Sequence, residues 1–246
     1  MKSLLDNYAK HAAAKKRSSD NATDNSSSSS TKIARIDNYG GGSSEEYAKS
    51  SRPLSNSENY DGPPHFLIIG AQKAGTMAAV KNLNKHPDIG CLSEEHYFDL
   101  GWHSKTLNSY RSLFKKFQNA GKTVLGDKTP EYGYVEECHG RIRSVCSSST
   151  KFIFMIRNPT KRAYSAWNMN IKRNFDVNLF DDCIDSNLKN LKEYRSYGTA
   201  EYHYVQRGFY LDQILRFLET FPNRCVVLQI LTLSMGTPSK IQCFHC

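Results

Sequence analysis

The segment Gly70-Ala-Gln-Lys73-Ala-Gly75-Thr76 has the composition of a turn that binds a phosphate-like anion. Glycine lets backbone N–H groups point toward one position, and a helix that begins behind such a turn adds partial positive charge there. Lys73 would add a full positive charge beside a phosphate or beside the oxygen of a leaving group. The turn therefore predicts chemistry on a phosphorylated ligand.

The position of the lysine argues against ATP hydrolysis. Gly70 and Gly75 have the spacing of a Walker A loop, but the Walker lysine follows the second glycine and Lys73 precedes it. This displacement disfavours γ-phosphate transfer with magnesium. Asp127 could hold a magnesium ion, yet Lys128 beside it makes that role unattractive. A nucleotide kinase or NTPase is thus a less favoured alternative.

A second basic turn, Arg157 to Ser165, follows the apolar run KFIFMI. Arginine binds phosphate oxygens with two parallel N–H groups. Ser165 lies eight residues on, two turns into a predicted helix, so its hydroxyl could face the same ligand. This pairing predicts a site for a terminal phosphate; the plain alternative is a solvated, capped helix start.

Strands that alternate with helices are expected to position these turns. Apolar and β-branched runs predict four strands, at His65–Ile69, Thr123–Leu125, Lys151–Ile156 and Cys225–Ile230. Apolar periodicity, proline and glycine predict four helices, at Ala74–Lys85, Lys105–Asn119, Thr160–Arg173 and Tyr204–Phe221.

This alternation predicts an α/β fold, a three-layer sandwich with a central, mainly parallel sheet and a P-loop-like phosphate-binding turn. Ligands of such sheets bind outside the carboxyl ends of the strands. We therefore expect the site to lie in the turns after Ile69, Leu125 and Ile156.

Composition divides the 246 residues into two parts. Residues 1–64 contain 14 serines and few clustered apolar residues, so we expect a disordered Ser/Asn/Gly-rich tail. Residues 65–246 form the predicted domain and carry most of the net charge of +9. A basic globular surface favours an anionic partner, although charge also serves solubility. Because the basic residues are dispersed, nucleic acid is not expected.

Neither a membrane span nor a metal site is expected. The apolar runs are far shorter than the roughly 20 residues that cross a bilayer, and no signal-peptide stretch is visible. These features predict a soluble chain. The seven cysteines lack paired zinc spacing, so we expect free thiols and no metal.

Four segments in order give the chain a family resemblance. HFLIIGAQKAGT and KFIFMIRNPTKRAYSAW resemble the 5′-phosphosulfate loop and the 3′-phosphate motif of sulfotransferases that use 3′-phosphoadenosine 5′-phosphosulfate (PAPS). Glu94–Asp99 and Gly126–Tyr132 resemble two further segments of the heparan sulfate glucosaminyl 3-O- and N-sulfotransferases. The resemblance implies PAPS as co-substrate and a hydroxyl or amine of an acidic or neutral carbohydrate, such as a heparan-sulfate-like glycan, as acceptor.

The resemblance also implies a role for each matching residue. Glu94 would be the base, with Glu95 as the alternative if the register slips by one; alone, this segment predicts only a solvated loop. The other implied catalytic residues are Lys73, His96 and Lys128. The implied donor-binding residues are Lys73, Ala74, Gly75, Thr76 and Met77 at the 5′-phosphosulfate, and Arg157 and Ser165 at the 3′-phosphate.

The C-terminal part departs from the family pattern after about residue 229. The later basic segment that closes over PAPS in the family is not recognisable, so we expect a truncated or divergent end. A catalytically incomplete protein that binds anionic glycans is the resulting alternative function. The family works in the Golgi lumen, and this compartment is the alternative to a soluble chain if the N-terminus is incomplete.

Overall fold

The computed structural model describes residues 62–191, 202–231 and 240–245. The predicted disordered tail, except residues 62–64, lies outside the described residues, and so do residues 192–201, 232–239 and 246 of the predicted domain.

A six-stranded sheet forms the centre of the fold, in the order β2-β3-β1-β4-β5-β6. The first five strands in this order pair in parallel, and β6 pairs antiparallel with β5. In chain order, β1 to β6 are Phe66–Gly70, Ile89–Ser93, Val124–Lys128, Lys151–Ile156, Cys225–Leu231 and Lys240–His245. The predicted mainly parallel α/β fold is confirmed.

Seven helices connect the described strands. In chain order, α1 to α7 are Thr76–Leu83, Leu107–Ser112, Lys115–Asn119, Glu136–Val145, Pro159–Lys172, Phe180–Lys189 and Tyr210–Thr220. A 3-10 turn at Gln206–Gly208 precedes α7. No helix of the described residues is both long enough and apolar enough to cross a membrane.

The central strands form because their side chains are buried on both faces. All five residues of β1 are buried, as is usual for a parallel strand covered on both faces. At the start of α5, the Asn158 side chain accepts a hydrogen bond from Lys161 N, and Pro159 occupies the first turn. These N-terminal signals fix where α5 begins beyond β4.

Several predicted boundaries were wrong. The strand predicted at Thr123–Leu125 is longer, at Val124–Lys128, so the turn that follows it begins after Lys128. The helix predicted at Lys105–Asn119 is two short helices, α2 and α3. The first residues of the helix predicted at Tyr204–Phe221 form the 3-10 turn instead. The sequence analysis also missed β2, β6, α4 and α6.

Strand order brings the functional segments to one edge of the sheet. Because β1 lies between β3 and β4, the carboxyl ends of these three strands are adjacent, and β2 ends beside β3. In register, Ile68 of β1 pairs with Lys128 of β3 and Ser93 of β2 also pairs with Lys128. The residues that follow these strands therefore share one region.

Candidate active site

The turn after β1 is tied to β4 and leaves the first N–H groups of α1 open. Ala71 N donates to Met155 O of β4 at 2.7 Å. Gly75 occupies the N-cap of α1 with a φ of 79°, a left-handed conformation that glycine adopts without steric cost. Glycine has no side chain to cap the helix, so the N–H groups of its first turn can face an anion.

Lys73 is influenced by positively charged side chains of the second basic turn and of the end of α5. Its Nζ lies 3.7 Å from Met169 Sδ of α5. Burial and the charges of Arg173 and Arg157 lower the pKa of Lys73, whereas the carboxylate of Glu94 acts in the opposite direction. This concentration of positive charge would suit a ligand with several negative charges.

Arg157 joins the two basic turns. Its Nη1 donates to the main-chain oxygen of Lys73 at 3.3 Å. Tyr210 Oη of α7 in turn donates to Arg157 O at 2.9 Å, which fixes the backbone at the end of β4. The two basic turns, each predicted to bind a phosphate, are therefore in contact with each other.

A cleft of about 610 Å³ opens beside Arg157. Its lining within the described residues contains three cations and no carboxylate, and consists of Arg157, Thr160, Lys161, Tyr164, Ser165, Asn168, Lys172 and Phe180. Arg157 and Ser165 thus face the same space. Met77, predicted to line the same ligand, is 43% exposed on α1, and Thr76 is buried.

Glu94 and Lys128 form an ion pair across the ends of β2 and β3. Lys128 Nζ lies 2.7 Å from Glu94 Oε1, and Glu94 N donates to Lys128 O, also at 2.7 Å. The Lys128 side chain is 1% exposed and that of Glu94 is 49% exposed. Burial alone would raise the pKa of Glu94, but the hydrogen bond and charge of Lys128 outweigh it and lower the pKa. The carboxylate is therefore ionised at neutral pH and faces solvent.

His96 is oriented by an acid that sequence reasoning gave no role. Its Nδ1 lies 2.7 Å from Asp99 Oδ2, and the Asp99 side chain has no exposure. The hydrogen bond to Asp99 raises the pKa of His96, which favours the imidazolium form. The available signal was an acid three residues after the histidine in the segment Glu94–Asp99.

Two other parts of the site were also missed. Arg173 and Met169, near the end of α5, both act on Lys73. Glu131 accepts hydrogen bonds from Gln72 in the β1 turn at 3.1 Å and from Arg207 at 3.4 Å. Their positions depend on how α5 and the 3-10 turn pack, and no local motif signals that packing.

No group of three or more histidine, cysteine, aspartate or glutamate side chains suited to a metal ion occurs in the part of the chain that the structure describes. Buried free thiols are found at Cys91, Cys138, Cys146 and Cys183, and Cys225 is buried as well.

Comparisons with known proteins agree with this geometry. The sulfotransferase domain family matches residues 63–229. Heparan sulfate glucosamine 3-O-sulfotransferase 3B1 of Mus musculus is 32% identical over 193 residues, which cover 74% of this chain and 47% of the relative. Heparan sulfate glucosamine 3-O-sulfotransferase 6 of Homo sapiens is 40% identical over 103 residues, or 42% of this chain and 29% of the relative. The chain thus spans about half the length of the first of these relatives and less than a third of the second.

A solved structure shares the fold. A sulfotransferase from Alicyclobacillus acidocaldarius superposes with a TM-score of 0.54 at 21% identity, over 68% of this chain and 73% of that one. Together with the match over residues 63–229, the joined basic turns and the parallel sheet show that this chain belongs to the sulfotransferase domain family.

Proposed function

We propose that this chain transfers a sulfuryl group from PAPS to a hydroxyl or amine of a heparan-sulfate-like glycan. The observation that carries the proposal is the Glu94–Lys128 pair at 2.7 Å, whose carboxylate is close enough to act on the charge of Lys73. A candidate base and two candidate cations thus stand at the same edge of the sheet. The glycan acceptor is suggested by the names of the curated relatives.

The cleft would take the 3′-phosphate end of a doubly phosphorylated adenosine, and the β1 turn, whose residues do not line the cleft, would hold the other end. The cleft volume of about 610 Å³ lies within the roughly 300–1,000 Å³ usual for small-molecule sites. Arg157 and Ser165, which both line it, would hold the 3′-phosphate. The open N-terminus of α1, with Ala74, Gly75, Thr76 and Met77, would hold the 5′-phosphosulfate. The bound donor would supply a sulfuryl group attached to a phosphate oxygen.

Glu94 would activate the acceptor. Its ionised, half-exposed carboxylate can take the proton from the acceptor O–H or N–H as that atom bonds to sulfur. The bond from sulfur to the 5′-phosphate oxygen breaks in the same step. Lys73 would stabilise the negative charge left on that oxygen, and Lys128 the charge on the sulfuryl oxygens. His96, as imidazolium, would add positive charge beside Glu94.

The first experiment separates donor binding from chemistry. Calorimetric titration with 3′-phosphoadenosine 5′-phosphate (PAP) is expected to show tighter binding than titration with ATP and magnesium. Preferential ATP binding with turnover would favour a nucleotide kinase or NTPase. Salt-sensitive heparin binding without PAP binding would favour a protein that only binds anionic glycans.

The second experiment tests the base with a matched neighbour. Glu94→Gln is expected to lower transfer of radiolabelled sulfate to heparan sulfate by about 100-fold or more, because a general base contributes on that scale. Glu95→Gln, one residue away, should retain activity. The reverse result would assign the base to Glu95. Thermal unfolding of both variants checks that the loss is not a loss of fold.

A further inference from the structure

The loop that bears the candidate base is held by three hydrogen bonds from its backbone. We call residues 94–99 the base loop. Glu94 N donates to Lys128 O at 2.7 Å, His96 N to Thr129 Oγ1 at 3.5 Å, and Tyr97 N to Tyr132 Oη at 2.9 Å. All three acceptors lie at the end of β3 or within four residues of it.

The base loop needs such support because its backbone is strained. Glu94 has a φ of 59° and His96 a φ of 52°. Side chains with a Cβ rarely adopt this left-handed region, and they keep it only where the surroundings hold the backbone in place. The hydrogen bonds to the end of β3 are therefore a condition for the direction of the Glu94 side chain.

The two side-chain acceptors share one buried carboxylate. Tyr132 Oη donates to Asp127 Oδ2 at 3.0 Å, and Thr129 Oγ1 donates to Asp127 Oδ1 at 3.4 Å. Asp127, Thr129 and Tyr132 are all fully buried. Sequence analysis considered Asp127 only as a magnesium ligand, but here both of its oxygens accept hydrogen bonds from hydroxyls.

The number of protons on each group decides the direction of these hydrogen bonds. We call the two paths from Asp127 to the base loop, through Tyr132 and through Thr129, the relay. A hydroxyl has a single proton and two lone pairs, and an ionised carboxylate only accepts hydrogen bonds. When Tyr132 and Thr129 give their protons to Asp127, their lone pairs are left for Tyr97 N–H and His96 N–H. A carboxylate at this position thus sets both hydroxyls in the orientation that the base loop requires.

We propose that Asp127 is a positioning residue for the transfer reaction, which acts through Tyr132 and Thr129 to hold the base loop so that Glu94 faces Lys128. The inference rests on the proposed function, since it assumes that Glu94 is the base. Asp127 itself is fully buried, as part of β3, and takes no proton from the acceptor. Its effect on the reaction is confined to the geometry of the base loop.

The chain supplies a matched control for this relay. Tyr110 Oη also donates to Asp127 Oδ2, at 3.2 Å, and Tyr110 is 1% exposed. The base-loop groups Glu94 N, His96 N and Tyr97 N donate to Lys128 O, Thr129 Oγ1 and Tyr132 Oη and not to the Tyr110 hydroxyl. Tyr132→Phe and Tyr110→Phe therefore each remove one buried hydroxyl from the same carboxylate oxygen, but only Tyr132→Phe breaks the connection to the base loop.

The experiment compares these two variants with the wild type. Tyr132→Phe is expected to lower kcat by about 10- to 100-fold, the scale of a displaced catalytic group, with the Kd for PAP unchanged. Tyr110→Phe should leave kcat near the wild-type value. Hydrogen exchange of the Tyr97 amide should accelerate in Tyr132→Phe alone. Equal effects of both variants on kcat and exchange, or no effect of Tyr132→Phe on either, would overturn the proposal.

A further variant and the exchange measurement keep the test decisive. Asp127→Asn replaces one carboxylate oxygen by an amide N–H₂ donor, which would lie against either Tyr132 or Thr129 and reverse the orientation of that hydroxyl. Exchange of the Tyr97 amide or of the His96 amide should then accelerate in a protein that remains folded. If Tyr132→Phe does not fold, this result stands in for it, and unchanged rates for both amides in Asp127→Asn refute the relay. Absence of sulfuryl transfer by the wild type would refute the proposed function, while amide exchange would still report on the relay.

Discussion

The guanidinium of Arg157 donates a hydrogen bond to the main-chain oxygen of Lys73, across 3.3 Å. The two residues are 84 positions apart in the chain and belong to the turns after β4 and β1. Because β1 and β4 are neighbours in the sheet, this contact holds the two basic turns side by side. A ligand with negative charge at two ends would therefore contact both strand ends at once.

Arg157 is expected to recognise one phosphate of the donor and not the other. Arg157→Ala should weaken binding of PAP by about 2 kcal/mol, or about thirtyfold, because a charge-assisted hydrogen bond to phosphate is lost. Binding of adenosine 5′-phosphate, which lacks the 3′-phosphate, should change little. Calorimetric titration measures both ligands.

The control for this prediction is Arg143→Ala, since Arg143 is exposed near the end of α4. It should leave both affinities unchanged. Equal weakening of the two ligands by Arg157→Ala would mean that the β1 turn has collapsed, and it would contradict a specific role at the 3′-phosphate.

Lys73 predicts a proton linkage to donor binding. Burial and the charges of Arg173 and Arg157 lower its pKa in the free protein, and a bound polyanion would raise that pKa again. PAP binding should therefore take up protons at alkaline pH, measurable by titration in buffers of different ionisation enthalpy. Lys73→Met should remove this proton uptake. Lys81→Met, which changes an exposed lysine of α1, should leave the uptake unchanged. Uptake that survives in Lys73→Met would assign the linkage to another group.

The sequence predicted the parts of this site that depend on single strands and turns. The run Lys151–Ile156 was predicted with its observed bounds, because after Lys151 it is a continuous run of large apolar side chains and is followed by a helix that begins at a proline. The position of Lys73 and Arg157 at one sheet edge follows from a general property of parallel sheets. These inferences need no knowledge of which strands are neighbours.

Long-range pairing was beyond the sequence analysis. β2 was missed because Ile89–Ser93 is short and contains both glycine and serine, so no apolar run marks it. Without β2, nothing placed Glu94 beside Lys128, which depends on the register between β2 and β3. The relay from Asp127 to the base loop likewise depends on hydrogen bonds between residues 33 and 35 positions apart. Side-chain polarity gives no signal of such contacts.

Removing one partner of a buried ion pair behind the β1 turn should cost more stability than removing one partner of an exposed pair of shorter distance. In the buried pair, Glu131 and Arg207 are 3.4 Å apart and their side chains are 12% and 6% exposed. In the exposed pair, Glu136 and Arg216 are 2.9 Å apart and the Glu136 side chain is 64% exposed. Glu131→Ala should lower the free energy of unfolding by about 3 kcal/mol, since it leaves a buried cation without its carboxylate. Glu136→Ala should cost about 1 kcal/mol or less. Urea denaturation compares them, and a larger loss for Glu136→Ala would contradict this ranking.

Asp127 should make stability fall as pH rises through a defined window. Burial raises its pKa to about 6, although the hydroxyls of Tyr132 and Tyr110 partly oppose the shift. An unfolded aspartate has a pKa near 3.9, so between roughly pH 4 and pH 6 the folded protein binds more protons than the unfolded chain. Linkage then requires the free energy of unfolding to decrease as pH rises through this range.

The variant Asp127→Asn isolates this effect, because the asparagine does not titrate and the neighbouring Glu95 and His96 remain in both proteins. The difference in unfolding free energy between wild type and variant should decline by up to about 3 kcal/mol from pH 4 to pH 6.5. Urea denaturation at closely spaced pH values measures it. A difference that stays constant, or that grows with pH, would show that the buried carboxylate is ionised at low cost. Its hydrogen bonds to Tyr132 and Tyr110 would then outweigh its burial.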